Sequence, residues 1–147
     1  IEYSLTDTKQ EYALFFIDLD GFKAVNDEKG HHAGDRLLAA VAAALRGAVR
    51  AEDAVGRFGG DEFLVLARGC GRAQAQALAE QLRRTVQATA TAAGVNVSAS
   101  IGFAIAPTDT RDPVALLQYA DAAMYAAKYS GKNRVMPLGK PGTDAPG

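Results

Sequence analysis

The chain has 147 residues, 48% of them hydrophobic and 22% charged, and a formal net charge of -1. That length supports one domain with one core, and the near-neutral charge excludes a non-specific nucleic-acid binder or a domain that adheres to acidic membranes. One cysteine, Cys70, excludes an internal disulfide and fits a reducing, cytoplasmic setting, and no apolar run reaches the length of a membrane span.

Residues 1–11 are a polar leading segment without clear periodicity. Tyr12 to Leu19 is a continuous apolar run of strand length, the pattern of a central strand covered on both faces. If that strand reaches Asp20, alternation puts Asp18 and Asp20 on one face. Phe22 to Lys29 reads as a short helix ending at Gly30, and Gly34 to Arg50 as a longer amphipathic helix rich in alanine and leucine. Ala54 to Phe58 and Glu62 to Ala67 read as a hairpin with Gly59 and Gly60 at its tip, where positive φ is expected. Arg72 to Ala93 is a long helix closed by Gly94. Val95 to Ala106 is a strand that stops at Pro107. Pro113 to Ser130 is a helix with proline in its first turn and Gly131 beyond its end. Asn133 to Met136 is a last short strand. The domain therefore occupies residues 12–136, followed by a proline- and glycine-rich flexible tail, 137–147. The order β-α-α-β-β-α-β-α-β predicts an α+β domain with a mixed, largely antiparallel sheet packed by helices.

The chemistry concentrates at the hairpin tip. Asp61 and Glu62 follow two glycines, so two carboxylates flank a backbone without side chains. Such a tip can touch a bulky anion and hold a cation beside it; an ordinary Gly-Gly-Asp turn on the surface is the plain alternative. Asp18 and Asp61 each lie at a strand end that adjacent strands can bring together, and carboxylates gathered closely repel unless a cation neutralises them.

The tip is accompanied by Phe16-Ile-Asp18-Leu-Asp20-Gly-Phe-Lys23-Ala-Val-Asn26-Asp27, Gly30-His31-His-Ala-Gly34-Asp35, Arg57-Phe58-Gly59-Gly60-Asp61-Glu62-Phe63, Ser100-Ile101-Gly102, and Ala120-Asp121 through Lys128, Gly131, Lys132 and Asn133. In this order and spacing, from about Tyr12 to about Val135, the chain resembles the GGDEF family of diguanylate cyclases. The resemblance implies a palm-like nucleotidyl cyclase fold, with a central, mostly antiparallel five-stranded sheet flanked by helices. The implied reaction converts two GTP into cyclic di-GMP and two pyrophosphates. The family has a leading helix and an Asp-x-Leu-Thr-Gly-Leu-x-Asn-Arg stretch that only Ser4-Leu5-Thr6-Asp7 echoes here. An N-terminally truncated fragment is therefore expected, monomeric and weakly active or inactive alone.

The resemblance also implies roles, residue by residue. Asp18, the backbone carbonyl of Leu19, and Asp61 match the family's ligands for Mg²⁺, with Mn²⁺ as a substitute; hard oxygen donors suit both ions. Glu62 is a further ligand or helps deprotonate the attacking 3′-hydroxyl. Gly59 and Gly60 let ribose and phosphates approach the backbone. Phe22 and Lys23 open a helix whose N–H groups face the phosphates. Lys128 and Lys132 stand where the family places basic residues on the terminal phosphates, although either alone reads as a solvated charge. Asn26 and Asp35 match the guanine-reading positions, against plainer readings as a helix C-terminal cap and a first-turn dipole partner. His31 reads as a structural hydrogen-bonding residue and His32 as a surface one.

Arg50-Ala51-Glu52-Asp53 matches the family's Arg-x-x-Asp inhibitory site for cyclic di-GMP, and an i,i+3 surface ion pair is the plain alternative. The second arginine of that site aligns with Gln81, which leaves Arg83 and Arg84 nearby as candidates. Partners implied are a second GGDEF domain that completes catalysis, and an N-terminal sensory or regulatory module. No contact with nucleic acid or membrane is expected. The reading from a different class is a non-catalytic cyclic di-GMP receptor working through Arg50 and Asp53.

Overall fold

The computed structural model describes residues 10–137. The Ser4–Asp7 echo, most of the leading segment and the tail from residue 138 lie outside the described residues. Five strands and four helices alternate in the expected order: β1 (Tyr12–Asp20), α1 (Phe22–Lys29), α2 (His31–Ala48), β2 (Ala54–Arg57), β3 (Glu62–Arg68), α3 (Arg72–Ala92), β4 (Ser98–Ala106), α4 (Pro113–Tyr129) and β5 (Arg134–Pro137). The sheet order is β2-β3-β1-β4-β5; β4 and β5 pair parallel and all other neighbours antiparallel.

β1 is central because its side chains are apolar on both faces. Ala13, Phe15, Ile17 and Leu19 point to a core completed by α1, α2 and α3, whose contributions include Val41, Leu45, Ala79, Leu82 and Val86. Tyr12 and Phe16 point the other way, to a smaller core with Leu116, Ala120 and Met124 of α4. α4 lies very close to β4 at Gly102, where an added Cβ would run into the backbone of Ala120, Ala123 and Met124. The absence of a side chain there sets how near the sheet α4 sits, and so where its last turn can reach. Asp112 starts α4 by accepting from the N–H groups of Val114 and Ala115, with Pro113 at the first helical position.

Most boundaries fall within one or two residues of expectation, and three of the differences bear on the site. α2 begins at His31, not Gly34, because Gly30 ends α1 and starts α2 with φ 91°, making a corner between two helices without a linker. β2 stops at Arg57, since Phe58 turns its ring onto Phe16, with ring centroids 5.4 Å apart. β4 begins at Ser98, not Val95, because Asp20, the last residue of β1, finds its partner there.

Candidate functional site

The ends of β1 and β3 build one side of the site. Asp18 sits directly opposite Glu62 on β3 and Ser100 on β4, so these three side chains form a row across neighbouring strands. The hairpin tip is sewn to β1 by the Leu19 N–H, which donates to the Asp61 carbonyl at 3.1 Å. The expectation of positive φ at the tip fails, because neither Gly59 nor Gly60 has it. The loop closes instead through Phe58 N–H donating to the Glu62 carbonyl at 2.7 Å, and Arg57 Nε donating to the Gly59 carbonyl at 3.1 Å. Gly59 leaves room for the Glu62 carboxylate in its present position: a Cβ there would make that side chain shift. A Cβ at Gly60 would meet nothing within 4 Å, so this stretch of backbone stands open.

The carboxylates press on one another. Burial pushes the Asp18 carboxyl from an ordinary 3.8 up to about 6; Lys128 pulls it down, while Asp61, Glu62 and Asp20 push it further up. Glu62 is raised too, first by burial and then by Asp61 and Asp121. Lys128, from the last turn of α4, lies on this face with Nζ 2.8 Å from Asp20 and 3.7 Å from Asp18. The lysine expected at terminal phosphates thus rests between the two aspartates.

Among the described residues no three carboxylate, imidazole or thiol side chains gather tightly enough to enclose an ion by themselves. This donor set fits Mg²⁺, which is commonly held by one or two carboxylates and takes its remaining ligands from phosphate and water. Asp18, with Asp61, Glu62 and the Leu19 carbonyl at the same strand ends, would hold it.

On the other side of the tip is an open cavity of about 380 Å³ lined by Phe22, Lys23, Asn26, His31, Asp35, Leu38, Arg57, Gly60 and Asp61. α1 and α2, tightly joined at Gly30, bring Asn26 and Asp35 to the same wall. Asn26 is pressed on Gly34, where any Cβ would overlap its Oδ1, and that buried oxygen has no partner. A buried unpaired acceptor costs about 1–3 kcal/mol, which marks a site more than a scaffold. The Asn26 carbonyl does cap α1, accepting from Gly30 N–H at 2.9 Å, so the backbone and side chain of this residue serve different ends. Gly21, in the left-handed region at φ 85°, starts α1 without any side-chain cap, leaving first-turn N–H groups free for an anion. His31, expected as a structural hydrogen-bonding residue, is instead an exposed part of the cavity wall. Lys132 is exposed in the turn after α4.

Sequence reasoning gave no role to Arg57, Asp20 or Asp121. Arg57 lay within the quoted motif and now lines the cavity. Asp20 could be suspected only from its alternation with Asp18.

At the opposite end of the sheet, Arg50 and Asp53 are paired, with Arg50 N–H, Nε and a terminal nitrogen all donating to the Asp53 carboxylate. Arg50 also donates to the Arg68 carbonyl. Asp53 is buried and further accepts from the Arg68 N–H at 3.2 Å; these donors outweigh burial and hold its carboxyl low. Arg83 is not brought to this pair. It donates to Glu80 and, at 2.9 Å, to Asn133 beside β5, the far edge of the sheet from β2. Arg84 is exposed on α3. Cys70 is buried nearby and burial pushes its thiol up, so it is an unreactive neighbour.

A five-stranded, mostly antiparallel sheet with carboxylates on adjoining strand ends, one helix on one face and the others opposite, defines a palm-like nucleotidyl cyclase fold. The family described as "Diguanylate cyclase, GGDEF domain" matches residues 1–134, and the chain belongs to that family. It is 45% identical over 135 residues to the bifunctional diguanylate cyclase/cyclic di-GMP phosphodiesterase MucR of Pseudomonas aeruginosa, covering 90% of this chain but 20% of MucR. The crystal structure of the GGDEF domain of TpbB from Pseudomonas aeruginosa superposes with a TM-score of 0.80 at 34% identity, over 95% of this chain and 89% of that one. The GGDEF domain of DgcB from Caulobacter crescentus, solved in complex with c-di-GMP, gives a TM-score of 0.79 at 25% identity, over 92% of this chain and 82% of that one. The chain spans between 20% and 36% of the length of the first curated relatives it matches.

Proposed function

We propose that this domain is a diguanylate cyclase that converts two GTP into cyclic di-GMP and two pyrophosphates. The observation that carries the reading is the convergence of Asn26, Asp35, Lys23 and Gly60 on one cavity, with Asp61 as its boundary to the carboxylate row. Asp35 accepts from the guanine N1–H and N2–H donors, and the Asn26 amide, on the same wall, supplies a second polar contact. The first turn of α1 receives the β- and γ-phosphates on its uncapped N–H groups, with Lys128 and Lys132 as cations above them. The open backbone at Gly60 lets the ribose lie against the tip.

In each half-reaction the 3′-oxygen of one GTP bonds to the α-phosphorus of the other. The bond from that phosphorus to the bridging oxygen breaks, and pyrophosphate leaves with the electron pair. Glu62, whose proton affinity is raised by burial and by Asp61, takes the hydroxyl proton. When bound, Mg²⁺ supplies Lewis-acid polarisation of the α-phosphate and balances the charge of the leaving group. One domain holds one GTP, so a second copy must face it, and the domains that surround this one in the full protein set that encounter. Arg50, with its side chain 52% exposed beside Asp53, supports product binding as a second reading, as feedback or as a receptor role.

The test is incubation with GTP and Mg²⁺, with products separated by chromatography, for the wild type and Glu62→Gln. Cyclic di-GMP and pyrophosphate from the wild type, with at least a hundredfold less from the variant, is expected for loss of a positioned base. Wild-type protein that binds cyclic di-GMP without making it at any concentration supports the receptor instead.

A further inference from the structure

Asp20 has more partners than any role so far requires. Its carboxylate is 5% exposed and accepts four hydrogen bonds. Oδ1 receives Lys128 Nζ and Ser100 Oγ, each at 2.8 Å. Oδ2 receives Ser98 Oγ at 2.9 Å and the Asn133 backbone N–H at 3.0 Å. The donors come from β4, from the end of α4 and from the turn between α4 and β5.

That turn is an unfavourable one. Lys132 has φ 65° and Asn133 φ 48°, consecutive non-glycine residues in the left-handed region. Such residues cost on the order of 1 kcal/mol each and persist only where surrounding contacts impose them. The contacts here are the Asn133 N–H on Asp20 and the Lys132 N–H on the Ala127 carbonyl, each at 3.0 Å, together with Arg83 on the Asn133 side chain at 2.9 Å and Arg134 Nε on the Lys132 carbonyl at 3.0 Å. One carboxylate therefore bears on two lysines, holding Lys128 by direct contact and Lys132 as one of several tethers on the turn that carries it. A lysine side chain left free forfeits about 2 kcal/mol of rotamer entropy when it must be ordered by a ligand. Lys128 is ordered in advance, yet its ammonium has three donors and Asp20 takes one. The side chain keeps 24% exposure, so the remaining donors are open to a ligand beside Asp18.

We propose that Asp20 is a positioning residue that fixes Lys128 and Lys132 for the terminal phosphates of a nucleoside triphosphate. The proposal rests on the GTP-site reading above and adds that affinity for the triphosphate tail, not for the nucleoside, depends on Asp20. A residue of purely structural importance would weaken both.

The test is calorimetry on the whole chain with Mg²⁺, using 3′-deoxy-GTP, which lacks the attacking hydroxyl, and 3′-deoxy-GMP. In the wild type the triphosphate binds more tightly. In Asp20→Asn its affinity falls between about tenfold and a hundredfold, the worth of a charged hydrogen bond, while the monophosphate is unchanged. In a Lys128→Met background the same substitution costs much less. Equal losses for both nucleotides, no loss, or full additivity with Lys128→Met overturns the proposal. If Asp20→Asn does not fold, Ser98→Ala with Ser100→Ala removes two tethers and keeps the carboxylate; a smaller loss confined to the triphosphate is then expected, and parallel loss or none is refuting. Wild-type protein that binds neither nucleotide defeats the GTP-site reading and this inference with it, whereas binding with parallel losses defeats the inference alone.

Discussion

Two buried aspartates, Asp20 and Asp53, stand at opposite ends of the sheet, each satisfied by a cation and by at least one backbone N–H, and they differ in where those partners come from. Asp53 is held by Arg50, three residues before it, and by the neighbouring strand at Arg68. Asp20 is held by Ser98, Ser100, Lys128 and Asn133, between 78 and 113 residues away. The first arrangement closes a turn and leaves its arginine half in solvent. The second ties the end of β1 to β4, α4 and the approach to β5, and keeps its lysine at the rim of the candidate site. A local pair can be dismantled with little effect elsewhere, and a distant one cannot.

The largest expected effect separates them directly. Asp20→Ala takes from Lys128 its nearer partner, leaving Asp18 at 3.7 Å, and strands three other donors; it should destabilise by about 3 kcal/mol, read as a lowered denaturant midpoint. Gly102→Ala tests the same region from behind, because a methyl group there meets α4 backbone that cannot rotate away. Overpacking of about 1–3 kcal/mol is expected, together with a weaker GTP affinity as Lys128 moves off Asp20. Retained stability in both variants would erase the distinction drawn here.

Asp53→Ala should cost less, about 2 kcal/mol, from two backbone N–H groups that lose an acceptor. GTP binding should stay unchanged, since these groups lie at the other end of the sheet. Acid titration sharpens the contrast within the site end. Asp20 and Asp53 are held below 3.8, so the stability they contribute is present above that value and fades as pH falls further. Asp18 has the opposite sign: with its carboxyl raised to about 6, the folded state binds a proton more readily than the unfolded chain. Its ionisation costs stability in full above about 6, and the cost is relieved as pH falls toward 3.8. Asp18→Asn should therefore raise the metal-free melting temperature at pH 7, with the gain vanishing by about pH 4, while abolishing cyclase activity. The smallest effect on stability belongs to Arg50→Ala, which takes two side-chain donors from buried Asp53 but keeps the backbone N–H groups of residues 50 and 68 on it; it should lower the melting temperature less than Asp53→Ala does and lose cyclic di-GMP binding in calorimetry. Undiminished binding would remove Arg50 from the product site.

The order of elements, the central place of β1 and the residues of the hairpin tip were legible in the amino-acid sequence alone. Those features follow from local causes: an apolar run too long and too uniform for an edge strand, glycines at corners, and proline at a first helical turn. The Arg50–Asp53 ion pair was visible in the sequence too, as the plain alternative to an inhibitory ligand site, because three residues of separation can put two side chains within reach. The folded arrangement revealed that Gly59 leaves room for Glu62 instead of supplying an unusual φ, since a steric contact depends on where another residue's side chain folds. It revealed too that Arg83 turns to Asn133, that Arg57 and His31 join Asn26 and Asp35 around one cavity, and that Lys128 lies on Asp20. The Lys128 and Asn133 contacts depend on how β4 and α4 pack against β1, above all on the close approach at Gly102, and the cavity on how α1 and α2 meet the hairpin; packing of that kind brings together residues whose separation along the chain carries no trace of it.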